Sequence, residues 1–213
     1  VTMKKPDGRP LPRPTTIPYV AQWSGERDLT PLVVARGPGI AYRMGEEVPQ
    51  DRYDGVLWAR RSFDQGKGTA RLAYTHPQRQ RRAMAKLLCQ VCAKPASRTK
   101  DGVLWLVEDD RGAWPDWPEG LATAHPPLCV PCAGTSLDEC HHWLREKAVV
   151  VRSRASQVSG VLGAPYQLQG SVLVPQKVRM VRYDDPAIAW TLARQLVRTL
   201  YDCTLLDPAV LAA

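Results

Sequence analysis

The chain of 213 residues is 44% hydrophobic and 23% charged, a balance that buries a core in one ordinary domain or two small ones. No stretch approaches the roughly 18 consecutive apolar residues of a membrane span, which excludes a transmembrane helix. The net charge of +8 is uneven: residues 1–100 carry 19 Lys/Arg against 8 Asp/Glu, residues 101–213 carry 10 against 13. Such asymmetry points to an acidic partner for the first half, nucleic acid being the commonest, with a merely solubilising surface as the other reading.

Residues 1–16 hold four prolines and few groups that could pack, so they read as a mobile, partly extended arm. Basic residues there are followed by no apolar run, so the start is not read as a secretory signal. Short apolar runs follow at Ile17–Trp23, Pro31–Ala35, Gly39–Met44 and Gly55–Ala59, separated by turn residues. Their length and β-branched content predict strands, with a loop or edge strand over 62–74.

Thr75 and Gln78 have capping-box spacing, and Pro77 suits a first turn, which predicts a helix over 75–88. Met84, Leu87 and Leu88 share one face, and Arg79, Arg82 and Lys86 the opposite one, with Arg81 at its margin. This basic helix is the candidate polyanion contact. Its N-terminus adds partial positive charge, and Arg60, Arg61, Lys94, Arg98 and Lys100 are near it in sequence. A solvated basic face is the plainer reading.

Gly102–Glu108 predicts a strand. The word Asp-Gly-Val-Leu-Trp occurs at 54–58 and again at 101–105, two similar hairpins rather than a repeat architecture. The stretch 108–119 is acidic, contains Trp114-Pro-Asp-Trp117-Pro, and predicts an irregular loop. Trp114 and Trp117 suit a protein partner or loop packing better than bases, because the acids around them repel phosphate. Glu108, Asp109 and Asp110 read as an acidic turn, with a magnesium site as the less economical alternative.

A helix is predicted over 134–146, with Leu137, Cys140, His141 and Leu144 on one face. Cys140 reads as a buried thiol, and His141 as an ordinary helix residue or a support for a metal site. Strand-like segments follow at 148–154, 158–163, 166–174 and 177–183. Arg152, Arg154, Arg179 and Arg182 alternate with apolar residues there and could extend a basic surface. Asp185 and Pro186 then predict a final helix to about Cys203, its stripe of Ile188, Leu192, Leu196, Leu200 and Cys203 lying on the sheet.

The strongest signal is Cys89-x2-Cys92 and Cys129-x2-Cys132. Each pair forms a tight turn that presents two sulfurs to one ion. Two such knuckles complete a tetrahedron of thiolates, which suits structural zinc and leaves no open position for catalysis. Lys86 and Lys94 flank the first pair and offset its charge. With no apolar span and no secretory signal read, a cytoplasmic protein is expected, and in that reducing compartment closely paired cysteines are more often metal ligands than disulfides. Arg, Ala, Val and Pro usage leans towards a high-GC bacterial or phage source.

A first knuckle, a strand pair, then a second knuckle at the start of a helix resembles the treble-clef zinc fingers. The spacing is similar to the zinc-stapled branch of the HNH endonucleases, over about residues 85–146. That family places a general-base His at the end of its first strand, beside a metal-binding Asp. The matching stretch, Leu104 to Asp110, contains no His, and His125 is the one His between the cysteine pairs. Losing a general base costs about 10²–10⁴-fold. The resemblance therefore implies the zinc scaffold without its nuclease, with no catalytic residue named.

The expected fold class is α+β: short mixed strands, a treble-clef-like four-cysteine zinc insert and a closing helix packed on the sheet. The expected organisation is an arm at 1–16, a β-rich segment at 17–74, a zinc module at 75–146, and strands plus a helix at 147–213. Nucleic-acid binding is the first functional expectation. A protein-interaction module docking through 108–119 is the second, and a divergent nuclease the third. Phosphate-loop, dinucleotide and nucleophile-elbow motifs are absent from the sequence.

Overall fold

The computed structural model describes residues 14–45, 48–139 and 147–211. Its first half runs β1 (Ala21–Trp23), β2 (Val33–Arg36), β3 (Gly39–Tyr42), β4 (Arg52–Tyr53), β5 (Val56–Trp58), β6 (Ala70–Thr75), then α1 (Pro77–Lys86). The second half runs β7 (Arg98–Thr99), β8 (Gly102–Glu108), β9 (Ala122–Thr123), α2 (Val130–Glu139), β10 (Ala148–Gln169), β11 (Val172–Pro175), β12 (Arg179–Arg182) and β13 (Thr191–Leu206). The class is α+β, as expected. β1 pairs with β6 and β2 with β3, while nine strands form one sheet ordered β4-β5-β13-β10-β8-β7, with β11 and β12 also on β10 and β9 on β13. That sheet draws strands from all three of the expected segments after the arm.

β8 shows why these residues make a sheet. Successive side chains in a strand point to opposite faces, and both faces of β8 are buried. Val103, Trp105 and Val107 join a core with Trp58, Met84, Val151, Leu196 and Leu200. Leu104 and Leu106 join a second core with Cys89, Val91, Leu128, Ala133 and Val150. The first core lies under α1; the second carries the cysteines. The twin Asp-Gly-Val-Leu-Trp words place Trp58 and Trp105 in the same core, both 0% exposed. In the first copy Asp54 and Gly55, both at positive φ, form the turn of the β4–β5 hairpin, the backbone such two-residue turns require.

The four strand-like segments expected over 148–183 resolve differently. Residues 148–169 form one strand, which pairs with β8 at its start, β13 along most of its length, and β12 and β11 towards its end. The expected breaks at 155–157 and 164–165 are paired continuously with β13, and the strand's register instead shifts at Val158/Gly160 and Leu162/Gly163. A Cβ at Gly163 would lie 2.5 Å from the Leu192 carbonyl oxygen, so glycine permits the close approach.

The closing helix is the clearest correction. Asp185 does cap Ala187 N–H at 2.8 Å, but it starts only a 3-10 turn over Pro186–Trp190. Thr191–Leu206 is β13, hydrogen-bonded to β10, β5 and β9. The stripe Ile188, Leu192, Leu196, Leu200 has a spacing of four, which is one face of a helix and also one face of a strand. Burial on both sides, including Ala193 and Val197, decides for a central strand.

Smaller corrections concern the helices. His76, not Thr75, caps α1: its Nδ1 accepts from Arg79 N–H at 3.4 Å. α2 begins at Val130, so Cys132 sits in its first turn. Cys140, His141 and the end expected at 146 lie outside the described residues. Thr15 and Thr16 donate to the Glu139 carboxylate, tying the described end of the arm to α2. Among the described residues no helix is long and apolar enough to cross a membrane.

Candidate metal centre and cationic surface

The first knuckle follows directly from the end of α1. Leu87 adopts the left-handed conformation, and the N–H groups of Leu87 and Leu88 both return to the Ala83 carbonyl. Cys89 N–H then donates to Lys94 O at 2.7 Å and Ala93 N–H to Cys89 O at 2.9 Å, closing the turn that holds Cys89 and Cys92. The second pair is placed by β8. Leu128 N–H donates to Leu104 O, Ser97 N–H to Leu128 O, and Gln90 N–H to Pro127 O, which stitches the two knuckles side by side. Cys129 immediately precedes α2, and its carbonyl accepts from Ala133 N–H at 3.0 Å.

All four sulfurs lie within 4.8 Å of one another, and Cys92 Sγ is 3.8 Å from Cys129 Sγ. One metal ion can touch all four. The order along the chain is knuckle, β7–β8 hairpin, knuckle, helix. Cys89 is fully buried and Cys92 exposed. Burial pushes the Cys89 thiol up, and burial together with its bonded neighbour Cys129 pushes Cys132 up. Burial, the largest single effect, raises the Cys92 thiol, but bonds from Lys94 N–H and the neighbouring thiols together outweigh it and hold Cys92 below the usual thiol value. Thiols pulled in opposite directions inside one cluster share protons, and a cation replaces those protons when it binds.

The basic helix is only partly the surface its sequence predicts. Arg79 is 2% exposed; its guanidinium pairs with Glu26 and donates to Ala21 O at 2.6 Å. Arg81 is 8% exposed, donates to Gln50 O, and lies 4.7 Å from the Trp58 ring centre. α1 packs on β13 of the large sheet, while Glu26 and the Ala21 carbonyl draw Arg79 inward and the Gln50 carbonyl and Trp58 draw Arg81 inward. Arg82 and Lys86 stay exposed. The later arginines do not extend the surface as free cations. Arg152 is buried on Gly102 O and Ser97 Oγ, while Arg154, Arg179 and Arg182 are paired with aspartates. Arg60 pairs with Asp51, and Arg61 donates to Glu26 O.

Of the cations expected around the helix, five remain available. Arg82, Lys86, Lys94, Arg98 and Lys100 are all exposed, and none is in an ion pair among the described residues. They lie along the end of α1, the first knuckle and the β7–β8 hairpin. Residues 65–100 contain no Asp or Glu.

Trp114 and Trp117 are not displayed. Trp117 is 8% exposed within the α1-side core, and Trp114 packs against that core with its Nε1–H on Glu119 O at 2.8 Å. Glu119 in turn accepts from the N–H groups of Asp202 and Cys203, fixing the loop to β13. The acidic turn also has internal uses: Asp109 is bound by Arg111, which holds its carboxyl below the usual range. Glu108 and Asp110 line a small cavity with His125. Among the described residues, the four cysteines are the one group of three or more His, Cys, Asp or Glu that converges as metal ligands do.

Sequence reasoning missed the buried trio Glu26, His76 and Arg79, whose partners are 53 residues apart along the chain. No local pattern announces it. Compared with protein-family models, with curated proteins and with solved structures, the chain finds no match in any of the three.

Proposed function

We propose that the four cysteines hold one structural zinc ion, and that the protein binds nucleic acid through the exposed cations around that centre. Zinc–sulfur bonds of about 2.3 Å at tetrahedral angles put sulfurs about 3.8 Å apart. The 3.8 Å between Cys92 and Cys129 fits that spacing. Four thiolates suit zinc and close its coordination sphere, so the ion's part is to hold the knuckles and α2 in place. The element order supports a treble-clef-like reading of the module.

The observation that carries nucleic-acid binding is the set Arg82, Lys86, Lys94, Arg98 and Lys100, unpaired by any carboxylate among the described residues and packed into an acid-free segment. Phosphate contact is the chemistry such a surface serves best. It replaces the helix face expected from spacing: Arg82 and Lys86 stay in it, Arg79 and Arg81 leave it.

The test is a salt series. Five phosphate contacts on a duplex give a slope of log K against log salt of about −4.5. Replacing Arg82 and Lys86 together by Ala is expected to reduce the slope by about 2 while Arg79→Ala acts on stability instead. Retention of DNA or RNA that is insensitive to salt, or absent, defeats the reading.

A further inference from the structure

Two cavities meet at one exposed aromatic ring. The first, of 230 Å³, is largely apolar, with Leu72, Val91, Ala124 and Pro126 in its wall. The second, of 180 Å³, is lined by Arg60, Arg61 and Arg194. Tyr74, Thr75 and Gln195 line both. Tyr74 is 60% exposed and Leu72 46%, on a strand whose only partner is β1 among the described residues.

We infer that this double cavity binds one nucleotide unit: an unpaired base against Tyr74 in the apolar chamber, its phosphate in the arginine chamber. Each chamber supplies what one end of that ligand needs. A flat ring needs an aromatic or apolar wall, and an exposed tyrosine at a cavity mouth offers one at little entropic cost. Gln195, at the junction, carries a donor and an acceptor for a base edge. In the second chamber Asp51 answers Arg60, and Asp28 lies 4.0 Å from Arg61. Arg194 is exposed and in no ion pair among the described residues, which offers a cation to a single phosphate. The proposed metal centre helps to shape the apolar chamber. Gln90 and Val91 stand between the cysteines of the first knuckle, and Thr135 and Ser136 one turn beyond Cys132; all four line that chamber.

The inference deepens the nucleic-acid reading and rests on it for the source of the ligand, a looped-out or single-stranded nucleotide. The test titrates the full-length, metal-loaded protein with a thymidine homopolymer strand, a blunt duplex of equal length, and the free monophosphates AMP and dTMP. Tyr74→Ala is expected to weaken single-strand binding about tenfold or more without changing its salt slope, and Tyr74→Phe to retain it. Arg194→Ala should reduce that slope by about 0.7, the single-strand value for one phosphate contact. Duplex binding should ignore Tyr74, since paired bases cannot enter. Unchanged single-strand and monophosphate binding in Tyr74→Ala overturns the site. Tyr74-dependent binding of AMP or dTMP as tight as the strand upholds the site with a free nucleotide as its ligand. A Lys86→Ala/Lys94→Ala variant separates the two claims. If it alone loses binding, the cavity proposal fails and the surface stands; if Tyr74→Ala alone does, the surface fails and the cavity stands.

Discussion

β8 buries both of its faces, and the two are secured by different means. Towards α1 it meets a large core in which Trp58 and Trp105 are fully enclosed, with Met84, Leu196 and Leu200 around them. That core has enough apolar area to tolerate indole N–H groups of both tryptophans that lack a hydrogen-bond partner among the described residues. Towards the knuckles β8 offers only Leu104 and Leu106, meeting Cys89, Val91, Leu128, Ala133 and Val150. Turns dominate that side, joined among the described residues by α2 and a short 3-10 helix at Pro208–Leu211. A patch of this size stabilises little by area alone; on the reading proposed above, a cation held by the four sulfurs would do what a core does on the opposite face.

The sharpest way to break this comparison is to remove the metal. Structural zinc contributes about 10–16 kcal/mol of apparent binding free energy in small zinc modules, as much as an ordinary domain's whole stability. Chelation, or Cys129→Ser, is expected to lower the thermal midpoint. It should also expose the amides of 88–97 and 128–139 to fast hydrogen exchange while those of α1 stay better protected. Native mass spectrometry should count one zinc in the intact chain and none in the variant. Unchanged exchange across both knuckles after complete chelation would show that the apolar patch holds itself.

The opposite face is tested by Trp105→Ala. Emptying a fully enclosed tryptophan site costs about 3–5 kcal/mol, read as a shift in the denaturant midpoint. Because Trp105 points away from the cysteines, the variant should still carry one zinc. A variant that loses its metal along with its stability would mean that the faces act as a single unit.

The two faces also differ in how far sequence exposes them. The knuckles are legible because ligand chemistry fixes spacing: Cys-x2-Cys is short, local and repeated, and the structure brings the four sulfurs together. Gly102–Glu108 is legible because an apolar run bounded by a turn and acids leaves few options, and its bounds as a strand are those expected. β13 is not, since a stripe at every fourth residue serves both periodicities and only its pairing with β10 decides. Nor are Arg79 and Arg81. Helical spacing tells which residues share a face, but not that α1 is covered on more than one flank. Glu26, the partner that draws Arg79 inward, lies far away in the chain. The inward indoles of Trp114 and Trp117 follow the same logic, because the contacts that hold them come from β13.

His76 gives the smallest of the three effects and separates the faces by pH. It is 0% exposed beneath α1, with Nε2 3.2 Å from Ser62 O and 3.9 Å from Glu26. Burial, reinforced by the Arg79 charge, pushes its pKa down to about 4 despite Glu26 nearby. An unfolded His takes up its proton near 6.5. Between these values the unfolded chain binds a proton that the folded one refuses, so stability falls as pH falls, by about 3 kcal/mol once pH 4 is reached. Glu26 adds a loss of the same sign in a lower window. Burial, the largest single effect, opposes its ionisation, but the Arg79 bonds, the Trp23 N–H and the nearby charges together outweigh it and hold its carboxyl below 4.5, so its contribution is present above that value and lost beneath it. A metal held by the cysteines, as proposed, would bring an acid loss of its own, which remains in any variant that keeps them. His76→Gln preserves an acceptor for the Arg79 N–H and cannot titrate. Subtracting its unfolding free energy from that of the natural chain at each pH therefore isolates His76: the difference should change steadily from pH 6.5 to 5. A flat difference across that window would mean that His76 is protonated inside the fold, its charge accepted by Glu26.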